Sequence, residues 1–424
     1  MKRAARSGLW CLAAGVALLP GILRAQVTVS RAPNGPWSFR ASYGFRETFD
    51  GNVFLQDVGD QAKRGSWVSS GSLGFGLGYQ NGPAFKATFT YTPEFARYHS
   101  YRSENHVDHR AGLGLSGSAG RNVWEFNASL LKIDGSNQGP VFDVENGGDI
   151  PAVGGIPLRD RRDALVLRNG FKLTHNRGRW FLRPSFTAYL HDFRTQQRAR
   201  TGPYAGYENY VDRYELNGGL DLGYRLGERA WAVAGHRYGR QEQGKLLGAE
   251  SPYSNSYHRI LLGLEGSPAR WLRVNFLGGP DLRRFERRPA GFDREEMLWY
   301  LNGSLSLTPS AADTITAAIS RYQQPAFSSH SVYEDLIYDF AWKRQHTKRL
   351  SSTAGMKIYG GDWQAPVNRE DWIYTPSAAV SYAVHRHLTA EAAYLHDAVR
   401  SRVPNTQGRQ FTRPLFVVSL GGIF

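Results

Sequence analysis

Apolar and polar residues alternate one by one along much of the chain. In "AFKATFTYTPEF", Phe85, Ala87, Phe89, Tyr91 and Phe95 share one parity, while Lys86, Thr88, Thr90, Thr92 and Glu94 share the other. In "RWFLRPSFTAYLHD", Trp180, Leu182, Phe186, Ala188 and Leu190 oppose Arg179, Arg183, Ser185, Thr187 and His191. In "VDRYELNGGLDLGYRL", Tyr214, Leu216, Leu220, Leu222 and Tyr224 oppose Arg213, Glu215, Asn217, Asp221 and Arg225. "WIYTPSAAVSYAV" and the closing "RPLFVVSLGGIF" repeat the pattern. Period-two alternation puts the two sets on opposite faces of a β-strand. The runs cover about 10 to 14 residues, whereas soluble strands average about 5–6. Tilted membrane strands need about 9–11.

The apolar rows carry no Lys, Arg, Asp or Glu. A cation on the lipid face of a barrel costs about 2–4 kcal/mol at the midplane. The opposite rows mix both charges with Ser, Thr, Asn and Gly, as a wet interior requires. Turns alternate between two kinds. Short ones include "QNGP", "AGRN", "NRG", "GER" and "HRH"; long polar ones fall near 49–64, 136–160, 195–207, 286–294 and 401–410. Short turns on one rim and long loops on the other describe an outer-membrane barrel. The count predicts a single closed antiparallel transmembrane β-barrel of 18 strands, with 16 as the next choice, from Trp37 to Phe424. Trp124, Trp180, Trp231 and Trp271 follow short turns and are expected in an aromatic girdle. Pro93, Pro184, Pro280, Pro376 and Pro414 fall inside or beside strands, and bulges or upper-rim positions are expected there.

Composition narrows the class. The chain has 424 residues, 47 Gly and 13% aromatic residues. With a mean hydropathy of −0.46, it contains no further run of about 20 apolar residues for a spanning helix. "MKRAAR" followed by "GLWCLAAGVALLPGIL" has the form of a Sec-type export signal, with cleavage expected after Ala25. Residues 26–424 then form one barrel domain. Removal of Lys2, Arg3, Arg6 and Arg24 lowers the net charge from +15 to about +11, and Cys11 leaves with the signal. Without cysteine, neither disulfides nor thiolate chemistry are available. Export argues against a nucleic-acid partner for this basic chain.

Alternation places Arg40, Lys86, Arg110, Arg168, Lys172, Arg179, Arg183, Arg213, Arg225, Arg259 and Arg273 on the lumen side, with Glu125, Glu215, Asp221, Asp335 and Asp339. Bases modestly outnumber acids, which favours anions. Cross-strand pairing would instead cancel the field, and both readings stand. The 136–160 segment either folds inward as a constriction or caps the outside. Catalytic constellations are thin. "ENHVDHR" puts His106 and Asp108 on one face and His109 on the other, and "FDVENGGD" supplies oxygen ligands without calcium-loop spacing. No cofactor fingerprint is present, and no enzyme is expected.

"RETFDGNVFLQD" resembles the signature that opens chains of the β-barrel porin 2 family: Tyr or Phe, Asp, Asp, Asn, Val, Phe. Gly51 stands here at the second acidic position. The resemblance implies an outer-membrane barrel of about this size, and some relatives are associated with exopolysaccharide export. The last strand, with Phe416, Val418, Leu420 and terminal Phe424 in register, resembles the signal by which the barrel-assembly machinery receives its clients. The expected function is passive diffusion of small hydrophilic, weakly anion-preferred solutes through the bacterial outer membrane. Export of a polysaccharide with periplasmic partners is the first alternative. A lipid-modifying barrel enzyme is the second. The expected surroundings are outer-membrane lipid.

Overall fold

The computed structural model describes residues 35–60, 62–136, 162–197, 209–327, 330–364, 368–403, 406–407 and 410–423. The export signal at 1–25, most of the 136–160 segment and Phe424 lie outside these residues. The strands are β1 (Trp37–Asp50), β2 (Ser66–Asn81), β3 (Phe85–Tyr98), β4 (His106–Ala119), β5 (Asn122–Ser136), β6 (Arg162–Arg177), β7 (Trp180–Phe193), β8 (Arg213–Arg225) and β9 (Ala230–Gln243). They continue as β10 (Asn255–Ala269), β11 (Leu272–Phe285), β12 (Glu295–Leu307), β13 (Asp313–Pro325), β14 (Val332–Gln345), β15 (Leu350–Trp363), β16 (Arg369–His385), β17 (Leu388–Val403), the two-residue β18 (Thr406–Gln407) and β19 (Phe411–Ile423). The long strands number 18, as the alternation predicts, and pair antiparallel with their neighbours. β19 returns to β1 in register from Ser42↔Ile423 to Asp50↔Leu415, which closes the wall. Closure removes both sheet edges.

Register converts the sequence alternation into two surfaces. Cross-strand rows such as Phe39↔Leu77↔Phe89↔Leu113 face outward. Phe39 is 61% exposed, Leu262 65% and Val418 60%. Apolar surface on this scale, continuous around a wall, requires hydrocarbon rather than water. A 14-residue strand tilted by about 40° rises about 35 Å, enough to cross the roughly 25 Å apolar band of a bilayer. The chain is therefore a transmembrane β-barrel.

The prolines correct an expectation. All five lie within strands, and no register shift occurs at any of them. The shifts fall elsewhere, at Gly266/Ala269, Ala383/His385 and Asp134/Ser136. In an antiparallel strand each residue directs its N–H and C=O to the same neighbour. A proline thus opens the ladder on one side only. Pro184 keeps its pairing with Leu220, while the ladder to β6 skips from Lys172↔Ser185 to His175↔Leu182. The girdle needs a correction too. Trp180 is on the outer face and Trp271 is exposed at its turn, but Trp231 pairs with Arg225 and Glu265 on the inner parity.

Candidate functional site

The inner face changes character along the barrel axis. Toward the short-turn rim it is small and polar: Gly74, Gly76 and Gly78 on β2 face inward beside Thr88 and Thr90 on β3 and Gly112 and Gly114 on β4. Toward the long-loop rim it becomes bulky, charged and buried. Near the short-turn rim the inner parity also carries Arg40, Lys86, Lys172 and Arg273, and higher up it carries Arg110 and Arg168. Glu125 faces Lys172 across β5 and β6. Asp339 lies 3.5 Å from the Lys357 Nζ.

The strongest cluster of charge occupies the wall from β7 to β11. Nearest the short turns, the Arg183 guanidinium donates to Asp221 (2.9 Å) and to both oxygens of Glu265 (2.9 and 2.5 Å). Arg237 donates to the other Asp221 oxygen at 2.6 Å. Higher up, Arg259 and Arg283 share Asp281 Oδ2 at 2.9 and 2.8 Å. The Arg259 guanidinium lies between the rings of Tyr257 and Tyr300, 4.0 and 4.4 Å from their centroids. Glu215 accepts from the Tyr257 hydroxyl and from Gln241 Nε2 (2.8 Å). Gly239 makes room for Tyr257: a Cβ there would lie 2.2 Å from the ring. These pairs neutralise most of the wall, so the cross-strand reading holds here. Removing one member of such a buried pair costs about 3–5 kcal/mol, although the intact pair adds little net stability.

This wall carries a load. Above Arg321, β13 leaves β12, and the β13–β14 tip turns into the barrel. The carbonyl of Gln323 accepts from Gln241 (3.2 Å) and Arg283 (2.7 Å). Pro325 O accepts from Arg213 (3.1 Å) and Ala326 O from Gln243 (2.7 Å). Val211 N–H donates to Phe327 O at 2.8 Å. Arg213 also donates to the hydroxyls of Tyr333 and Tyr189, at 2.9 and 3.1 Å. Phe327 packs with Phe193, Tyr210 and Tyr333 in a buried cluster that reaches Leu131 and Ile133 on β5 and Trp363 on β15. Asp335 accepts from Tyr359 and Gln324, both at 2.5 Å. His330 Nε2 donates to Gly244 O at 3.1 Å, and burial holds its imidazole below the usual histidine range. The tip is thus an internal constriction built from the wall's own hairpin.

A second inward element follows β1. The 49–64 segment was expected to be a polar outer loop. Instead Asn52, Val53, Phe54 and Leu55 are buried, with Leu55 packed against Ile337, Tyr359, Ile373, Val399 and Phe411. The 136–160 segment, read from sequence as either a constriction or an outer cap, lies outside the described residues apart from Ser136.

Two further assignments change. Arg179 sits in the exposed turn before β7, and its Nη1 reaches the Tyr224 hydroxyl (3.4 Å), whose ring packs on the outward Trp180. It lies at the rim and not in the lumen. Arg225 has the inner parity but folds back onto the turn carbonyls of Gly227 and Glu228, at 2.9 and 2.7 Å. Arg237, Gln241, Tyr257, Asp281 and Arg283 were missed. The segments "HRYGRQEQ" and "DLRRF" are polar at both parities, so nothing in them separates the faces. His106 and Asp108 face inward and His109 faces outward onto Tyr91, as the spacing predicts. Among the described residues, no group of three or more His, Cys, Asp or Glu is placed to hold a metal ion.

No family model matches the chain, and no curated protein matches it. Three solved outer-membrane structures align along most of it at low identity. OpdK from Pseudomonas aeruginosa is 13% identical, covering 91% of this chain and 99% of its own, with a TM-score of 0.44. The FrpB iron transporter from Neisseria meningitidis is 9% identical, covering 92% and 82%, with a TM-score of 0.46. OmpT of Vibrio cholerae is 10% identical, covering 93% and 100%, with a TM-score of 0.40.

Proposed function

We propose that the chain is a porin-like channel of the bacterial outer membrane, through which small hydrophilic solutes diffuse without turnover. The observation that carries this is a closed 18-strand wall with an apolar outer face and a hydrophilic inner one. Barrels of about 16–18 strands enclose an aqueous channel. A weak anion preference is part of the proposal. Apart from the salt-bridged pairs, the inward bases Arg40, Lys86, Arg110, Lys172, Arg273 and Lys343 modestly outnumber the inward acids Asp108, Glu125, Glu215, Asp335 and Glu391 among the described residues. The charged wall adds little to selectivity because its partners cancel. Delivery would follow export and signal cleavage. The outward Phe416, Val418 and Leu420 of β19 would be presented to the barrel-assembly machinery. Membership of the β-barrel porin 2 family rests on the motif at 49–54.

Liposome swelling tests the proposal. Small sugars should enter at rates that fall steeply with size. Liposomes containing folded protein that do not swell with any sugar would refute passive diffusion.

The two inward elements favour a second reading. A barrel that exports an acidic or neutral polysaccharide would be nearly closed until its periplasmic partners engage. Absence of swelling alone, with conductance appearing only on addition of periplasmic extract, would select it.

A further inference from the structure

The loop after β1 is tied to the last strand more tightly than a turn requires. Asp50, 1% exposed, accepts two parallel bonds from Arg413, at 2.9 and 2.7 Å. Gly51 N–H donates to Pro414 O at 2.9 Å, one step beyond the β1–β19 ladder. The Asn52 side chain donates to Thr412 O at 2.9 Å, and Asp57 accepts from Thr412 N–H at 3.2 Å. The same Asn52 braces its own loop through Gln56, whose N–H donates to Asn52 Oδ1 at 3.0 Å. Leu55 at the turn is held at φ +53° and fully buried. A branched aliphatic residue adopts that conformation only when its surroundings impose it.

Gly51 shows the fit. A Cβ on it would lie 2.5 Å from Pro414 Cγ and 2.8 Å from Cδ. Space, not backbone freedom, demands glycine there. This is the position at which the chain departs from the acidic residue of the motif it resembles, and the proline that fills the space belongs to the strand that closes the barrel.

We infer that residues 50–57 and 412–414 form a clasp across the closing seam, which couples barrel closure to filling of the lumen. The anchors of the inward loop come from the last strand, so the loop can dock only after β19 meets β1. The clasp then holds the seam and seats Leu55 over the inner face of β14 to β19 in one event.

The processed barrel, folded in detergent micelles and in planar bilayers, provides the test. Gly51→Ala should unfold on the order of tenfold faster than the parent. Adding Pro414→Ala should restore the parent rate, because it vacates the space. Arg413→Ala should unfold on the order of a hundredfold faster and conduct more, because the loop leaves the lumen. Arg321→Ala, at a half-exposed pair with Glu334 on the outer face, should change neither readout. If Arg413→Ala fails to fold, the Gly51/Pro414 cycle still decides. Additive effects of Gly51→Ala and Pro414→Ala, or unchanged conductance in a folded Arg413→Ala barrel, would overturn the inference.

Discussion

Replacing Arg213 with Met would release the hairpin tip and leave the wall standing. Among the described residues, the guanidinium donates to Pro325 O, Tyr333 Oη and Tyr189 Oη. Hydrogen bonds to a charged group contribute about 1.5–3 kcal/mol each, but bonds that share one donor group do not add in full. Met keeps the aliphatic stem, so packing against Phe327 is largely retained. The three acceptors are left buried without that donor. Only Pro325 O and Tyr333 Oη belong to the hairpin, so a loss of about 2–3 kcal/mol of docking follows, which is a shift of about 30–150-fold toward the undocked tip. Arg213 lies above the Arg259–Asp281 and Arg183–Asp221 pairs, which remain, so the wall should hold.

The assay is single-channel conductance in planar bilayers, read beside the temperature at which the barrel unfolds on unheated gels. Arg213→Met should raise the conductance or the open fraction severalfold, with a small change in unfolding temperature. A cysteine pair at Val211 and Phe327 supplies the converse, because the bond of 2.8 Å between Val211 N and Phe327 O brings their backbones together. The oxidised pair should return Arg213→Met to low conductance, and reduction should release it. If the pair oxidises while conductance stays the same in every form, the tip does not lie in the conducting path.

Acidification should loosen the same contact. Burial lowers the His330 pKa in the docked state, so the contribution is complete above the free-histidine value of about 6.5 and is lost as pH falls through the docked value. Conductance should rise in that window, and His330→Gln should abolish the pH step. Gly239→Ala drives a methyl into Tyr257 and should destabilise the barrel by about 1–3 kcal/mol, measured by urea unfolding in micelles. Lys86→Glu with Lys172→Glu should move the reversal potential toward cation preference. Arg183→Glu should instead mainly destabilise, because it would bring three acids together at Asp221 and Glu265.

The wall was legible because lipid imposes a strict rule on every second residue. In β7, β8, β16 and β19 the outer parity carries no charge from Trp180 to Leu190, Tyr214 to Tyr224, Trp372 to Val384 and Phe416 to Leu420, so face and register follow from the residues alone. The constriction was not legible. "RYQQPAFSSHSVYEDL" is polar, contains a proline and has the composition of an outer loop. Its inward course depends on Arg213, Gln241, Gln243 and Arg283, which are 40 or more residues away in sequence. The motif at 49–54 is legible as a resemblance, but its contacts are made with residues 412–414 near the other end of the chain. Arg179 and Arg225 were misplaced for a local reason. Parity holds within a strand and lapses at a turn, where a long side chain follows the nearest carbonyl or hydroxyl.

Single-cysteine scanning of β3 tests the two-faced wall most directly, because the sequence has only Cys11. Cysteines at Thr88, Thr90 and Thr92 should react with a water-soluble, membrane-impermeant thiol reagent in liposomes, and cysteines at Ala87, Phe89 and Tyr91 should be protected. Equal labelling at both parities, or labelling of the odd positions alone, would contradict a wall with hydrocarbon outside and water inside.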